Sequence, residues 1–248
     1  MGAPVPAPPI CGRDAEIRVL GEAVDRVAAG GPAIVMVEGE AGIGKTRLLA
    51  AVLDDATGRG MQVAAGQAEE LERNRPFGVL AAAFGCTRSS PDPRRAAIAE
   101  LLAAPVAGEQ RPITVTSDSG LQFRVVDAFT DLVEELALSG PLVIGLDDLQ
   151  WADPSSLLTV GALARRLTDL PVGVIGSMRP SPRTAELDRL SGVLEAGGAR
   201  LLVLHPLTAL GLACRRAASG RRSRSRRARS SECRATGTWR GGELRHGH

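Results

Sequence analysis

Residues 39–46 read Gly39-Glu40-Ala41-Gly42-Ile43-Gly44-Lys45-Thr46 and fill every fixed position of the pattern G-x-x-x-x-G-K-[ST]. Few short runs constrain a fold so tightly. The run has to join the carboxyl end of a strand to the start of a helix, where loop N–H groups and the positive end of the helix dipole converge on one anion. The flanks agree with this. Before the run, Ala33-Ile34-Val35-Met36-Val37 is apolar and β-branched, as suits a strand buried on both faces. After it, residues 46–56 carry Leu48, Leu49, Val52 and Leu53 at helical spacing, without Gly or Pro.

Lys45 is also the only lysine in the 248 residues. Every other basic side chain is arginine, as a GC-rich coding bias would produce. A phosphate loop needs a compact ammonium on a flexible stem to reach the β- and γ-phosphates, which a planar guanidinium does poorly. Gly39, Gly42 and Gly44 let the backbone curl against phosphate, and Glu40, Ala41 and Ile43 complete the cradle. Thr46 is expected to place its hydroxyl on Mg²⁺.

A second constellation follows. Pro141-Leu142-Val143-Ile144-Gly145-Leu146-Asp147-Asp148 is an apolar strand ending in two acids. Alone, such a run is usually a strand entering a solvated turn. Lying parallel beside the first strand, it would present Asp147 to the Mg²⁺ on Thr46, and Asp148 would orient or deprotonate an attacking water. Asp153-Pro154 reads as a helix N-cap followed by proline at the first helical position, so Asp153 is expected to cap rather than catalyse.

Hydrophobic residues at 44% supply a sizeable core for one α/β domain plus an appendage. Cys11, Cys86, Cys214 and Cys233 show no C-x-x-C spacing and no clustered histidines, so neither a zinc site nor a disulfide framework is expected, and a reducing cytoplasmic setting is. The first nine residues lack a basic segment and contain four prolines, unlike a signal peptide. No apolar run approaches membrane-spanning length, so no membrane partner is expected.

Charge divides the chain. Residues 1–211 hold 19 basic and 26 acidic side chains; residues 212–248 hold 11 arginines and two glutamates, a net +9. That segment has too little apolar area to offset chain entropy and is expected to be disordered. Its arginines would hold DNA only non-specifically. It also has the composition of a solvated tail or an out-of-frame extension.

Periodicity predicts a helix over 14–29, strands over 33–37 and 62–65, and an interrupted helical segment over 75–104, broken at Gly85 and Pro91. It further predicts an amphipathic helix over 119–138, a helix over 154–167 and strands over 172–178 and 200–204. Strands alternating with helices imply an α/β fold with a parallel sheet covered by helices on both faces and ligands at the strands' carboxyl ends. The expected organisation is a disordered 1–10, an ATP-binding domain over 11–211 and a basic disordered tail over 212–248.

These residues resemble a known family. Cys11-Gly12-Arg13-Asp14-Ala15-Glu16 is similar to the G-R-[ED]-x-E opening motif of STAND-class signal-transduction ATPases. The run from Glu38 to Leu49 and Leu146-Asp147-Asp148-Leu149-Gln150-Trp151-Ala152-Asp153 resemble their two nucleotide motifs. Together they look like the AAA-type P-loop NTPase domain of large LuxR-type, maltose-regulator-like transcriptional regulators, over about residues 10–210. The resemblance implies that Arg13 lies near the adenine pocket and that Arg179 senses the γ-phosphate. On its own terms Arg179 is a basic residue at a strand's carboxyl end, suited to a phosphate or to capping the strand in solvent. Arg13 alone reads as a surface arginine beside the N-cap Asp14. The family's helical lid, winged helix, helical repeats and helix-turn-helix find no match after residue 208, which gives the look of a truncated core.

The expected function is a switch whose ATP and ADP states differ and whose hydrolysis is slow, with ATP/ADP and Mg²⁺ as ligands and protein partners or self-association to read it out. The alternatives are a free-standing ATPase or phosphotransferase, the core of a cyclase- or kinase-linked signalling protein, or an inert fragment.

Overall fold

The computed structural model describes residues 10–103 and 119–207. The expected disorder of 1–10 and 212–248 falls almost wholly outside them. Two compact units are separated, Met1–Arg13 with Leu207–His248, and Asp14–Pro206. The described residues of the first contain no helix or strand.

The second unit is the α/β body. Its elements are α1 (Asp14–Ala28), β1 (Ala33–Glu38), α2 (Lys45–Gly58), β2 (Gln62–Gln67), α3 (Gly78–Ala83), α4 (Pro93–Ala103), α5 (Ser119–Ser139), β3 (Leu142–Asp147), α6 (Pro154–Arg166), β4 (Val172–Met178), α7 (Ala185–Ala196) and β5 (Arg200–Val203). All five strands are parallel, in the order β2-β3-β4-β1-β5. β3 and β4 are buried at every position, as an apolar strand covered on both faces must be.

The order corrects one expectation. β3 does not lie beside β1; β4 pairs with both and separates them. Small residues in β4 make room for this central place. A Cβ on Gly176 would stand 2.8 Å from Leu149 Cδ1 and from Met36 Cε.

Strand parity sorts the faces. A Cβ on Gly145 of β3 would meet Leu53 of α2, and one on Gly173 of β4 would meet Val27 of α1. Alternation therefore turns Asp147 and Ser177 toward the face of α1 and α2. The opposite face packs Leu142, Ile144 and Leu146 with Leu80, Phe84, Phe129, Leu132, Val160, Leu163 and Leu187 in the main core. Truncating a fully buried ring such as Phe129 would cost about 3–5 kcal/mol.

The helical segment 75–104 is interrupted as its glycine and prolines predict, into α3 and α4. α7 went unpredicted. Thr184 caps it by accepting a hydrogen bond from Leu187 N (3.2 Å), and Leu187, Leu190 and Leu194 bury one face. Among the described residues no helix is long and apolar enough to cross a membrane.

Candidate functional site

The site forms where β1, β3 and β4 end and α2 begins. β1 runs into the 39–46 loop, which turns through Gly42 (φ 73°) and Gly44 (φ 109°). Both angles are left-handed, a region glycine enters without the Cβ clash that other residues meet. Gly44 is the N-cap of α2 and supplies no side chain to its first turn, which leaves that turn to a ligand. Lys45 is 5% exposed, and its Nζ donates to the carbonyls of Gly39 (2.9 Å) and Glu40 (3.1 Å). Burial lowers its pKa from 10.5; nearby Asp148 opposes this, Arg179 adds to it, and Asp147 and Glu40 oppose it. The charges predicted from separate segments therefore act on one ammonium.

Asp147 is 5% exposed at the end of β3. Its Oδ1 accepts a short hydrogen bond from Ser177 Oγ of β4, and Ser177 Oγ in turn accepts from Asp148 N at 3.0 Å. The intervening strand thus supplies the hydroxyl that ties together the two acids at the end of β3. Asp147 Oδ2 is buried without a hydrogen-bond partner.

Asp148 adopts φ 56°, in the left-handed region that aspartate enters more readily than most non-glycine residues. Contacts hold it there. Gln150 Nε2 donates to Asp148 Oδ1 at 2.8 Å, and Gln150 Oε1 accepts from Arg179 N at 3.0 Å. Arg179 Nε lies 3.8 Å from Asp148 Oδ1, near enough for charge attraction but too far for a hydrogen bond, so this buried N–H lacks an acceptor. The Arg179 guanidinium carbon stands 6.0 Å from the Trp151 ring centroid.

These atoms fit a magnesium nucleotide. A cation would satisfy Asp147 Oδ2, and an anion would satisfy Arg179 Nε. Thr46 lies exposed at the first turn of α2. Among the described residues no group of three or more His, Cys, Asp or Glu could hold a metal unaided. Mg²⁺ takes one or two protein ligands beside substrate phosphates and keeps waters for the rest, a demand that a single buried carboxylate such as Asp147 can meet.

Lys45, Asp147, Asp148 and Arg179 are thus brought together. Arg13 belongs to the other unit, and its adenine role stays an expectation of the resemblance. Asp153 caps α6 as predicted, accepting from Ser156 N (2.9 Å), and it also accepts from Phe77 N (2.8 Å) and Gly78 N (3.1 Å) at the start of α3. Sequence reasoning missed Ser177, Gln150 and Arg183. Arg183 donates to Glu38 Oε2 (3.0 Å), Asp188 Oδ1 (2.6 Å) and Ser191 Oγ (3.0 Å), which ties the end of β1 to α7. Parity puts Ser177 on the face of Asp147 only once β4 is known to lie beside β3, and the other two roles needed the fold as well.

Comparison with known proteins agrees with this fold. The family model described as an AAA ATPase domain matches residues 9–175. An uncharacterised protein of Rhizobium meliloti is 25% identical over 199 residues, covering 73% of this chain and 19% of that protein. Cdc6p from Pyrobaculum aerophilum shares the fold at 15% identity and a TM-score of 0.53, covering 82% of this chain and 48% of that one. The ORC2 protein of Aeropyrum pernix, solved in ADPNP and ADP complexes, aligns at 16% identity and a TM-score of 0.47, over 82% of this chain and 50% of that one. The chain therefore spans about a fifth of that relative and half or less of these solved chains.

Proposed function

The chain belongs to the AAA ATPase domain family, and from that premise we propose that it binds Mg·ATP and Mg·ADP at the 39–46 loop and works as a slow ATP-hydrolysing switch. One observation carries the reading: two buried orphan atoms of opposite preference, Asp147 Oδ2 and Arg179 Nε, belong to side chains that act on the same buried Lys45. A magnesium phosphate would satisfy both orphans and give the Lys45 ammonium an anion to neutralise.

In this reading the first turn of α2 and Lys45 receive the β- and γ-phosphates, and Lys45 exchanges two carbonyl acceptors for phosphate oxygens. Thr46 and Asp147 would hold Mg²⁺, which would supply charge neutralisation on the phosphates. Arg179 meets the γ-phosphate. Asp148 orients a water and accepts its proton as the water oxygen bonds to the terminal phosphorus; the bond to the bridging oxygen breaks and that oxygen leaves with ADP.

Gln150 and Ser177 hold Asp148 in its left-handed conformation, with Arg179 beside its carboxylate, so the acid that would orient water is tied to the residue that would meet the γ-phosphate. The motifs' resemblance to large LuxR-type regulators supports a place in transcriptional control, with protein partners or self-association reading out the nucleotide state. Isothermal titration of Mg·ADP and Mg·ATP tests the binding. Lys45→Ala should lose one or two charge-assisted contacts of about 1.5–3 kcal/mol each. Equal affinity in the two proteins would remove the basis for the reading.

A further inference from the structure

Gln150 is 1% exposed, and both ends of its amide are committed to residues of the site. A buried amide is unfavourable unless its polar atoms are partnered. Leucine would fill similar volume, so packing does not explain the amide. Its two partners do: Nε2 holds the Asp148 carboxylate and Oε1 holds the main-chain N–H of Arg179. These residues leave different strands, β3 and β4, and Gln150 is the side chain that hydrogen-bonds to both.

We propose that Gln150 is a positioning residue that makes Asp148 and Arg179 one mechanical unit, so that the side chain meeting the γ-phosphate sets the one that orients water. The inference rests on the nucleotide-switch reading above and deepens it. Arg179 has two further contacts along the same turn, the Asp148 carboxylate at 3.8 Å and the Trp151 ring at 6.0 Å. A terminal phosphate that draws the guanidinium forward therefore pulls on the stretch carrying Asp148. ADP lacks that phosphate and leaves the unit at rest. Gln150 touches neither phosphate nor metal in this scheme; it acts through its two partners.

The two halves of the amide can be separated. Gln150→Leu removes donor and acceptor. Gln150→Glu keeps an acceptor for Arg179 N and replaces the donor to Asp148 with a second carboxylate that repels it. In the nucleotide-free full chain, amide hydrogen exchange at Arg179 should be protected in the wild type and in Gln150→Glu, and exposed in Gln150→Leu. Mg·ADP affinity, measured by calorimetry, should stay within about twofold in Gln150→Leu, which adds no charge and leaves the Lys45 loop untouched. Gln150→Leu should lose the preference for the β,γ-methylene analogue of ATP over ADP, and Gln150→Glu should retain it. Turnover should fall on the order of tenfold or more in both at little-changed KM, the signature of lost orientation rather than lost binding.

Wild-type preference and turnover in a folded Gln150→Leu protein would overturn the inference and leave the switch reading standing. So would protection at Arg179 that survives the loss of the amide. If Lys45→Ala binds nucleotide as well as the wild type, the switch reading fails and this inference falls with it.

Discussion

Ser177 donates its hydroxyl proton to Asp147 and accepts the main-chain N–H of Asp148, so one side chain on β4 sets both acids at the end of β3. Ser177→Ala would leave one carboxylate oxygen and one N–H without partners, a loss of about 1–3 kcal/mol. Thermal melting should report that loss, and Ser177→Thr, which keeps the hydroxyl, should recover most of it. Calorimetry with and without a magnesium chelator should show the alanine variant losing mainly the metal-dependent part of nucleotide affinity. Full metal dependence in Ser177→Ala would mean that Asp147 needs no such bridge.

The two acids should separate by function. Asp147→Asn replaces the oxygen with the orphaned lone pairs by a neutral amide, a poor partner for Mg²⁺, and should weaken metal-dependent binding. Asp148→Asn should bind nucleotide near the wild-type level and depress hydrolysis, since an amide cannot accept the water's proton. A phosphate-release assay beside calorimetry distinguishes them. If both variants bind and turn over normally, the end of β3 has nothing to do with the metal.

The contrast between Lys45 and Ser177 shows what was legible beforehand. Lys45 sits in a contiguous run whose chemistry depends on near neighbours, so strand, loop, helix and ligand could all be read locally. Ser177 gains its role from lying across from Asp147, and strand order is a long-range property. No local pattern states that the strand over 172–178 inserts between the two motif strands, which is why β3 was expected beside β1. Gly173 and Gly176 were the available hint, since a strand carrying glycines at such positions admits close neighbours on both faces. α7 escaped for another reason. Its Thr184 cap and Leu187, Leu190, Leu194 spacing are present, but the helix is short and follows a proline-rich turn, where a periodic signal is easily lost.

Asp153 should matter to stability rather than to turnover. Its carboxylate accepts from Phe77 N, Gly78 N, Ser156 N and Ser156 Oγ, capping the starts of both α3 and α6. Asp153→Ala should cost about 2–4 kcal/mol, as two caps of about 1–2 kcal/mol each lost together. Denaturant unfolding should show this, with Asp153→Asn intermediate because it keeps one acceptor oxygen. A loss under about 0.5 kcal/mol would show that water replaces the carboxylate at both helix starts.

The alkaline limb of the stability profile should carry the mark of Cys86. Burial pushes this thiol up to about 11 from an ordinary 9.0. Because the folded value is the higher one, the neutral thiol's contribution is fully present below pH 9.0 and is lost as pH rises toward about 11. The unfolded chain releases its proton first, and that release draws the equilibrium away from the fold. Two units bound the loss at about 2–3 kcal/mol. Lys45 works in the opposite sense: its folded value lies below 10.5, so stability rises with pH through the window between the two. The raw profile mixes both slopes, and the difference between wild type and Cys86→Ala isolates the thiol. Chemical denaturation under reducing conditions should show the wild type falling relative to the variant between pH 9.0 and about 11, and a constant offset below that range. Parallel curves across the whole range would mean that the thiol ionises alike in the folded and unfolded chain, and that the pocket around Cys86 admits water.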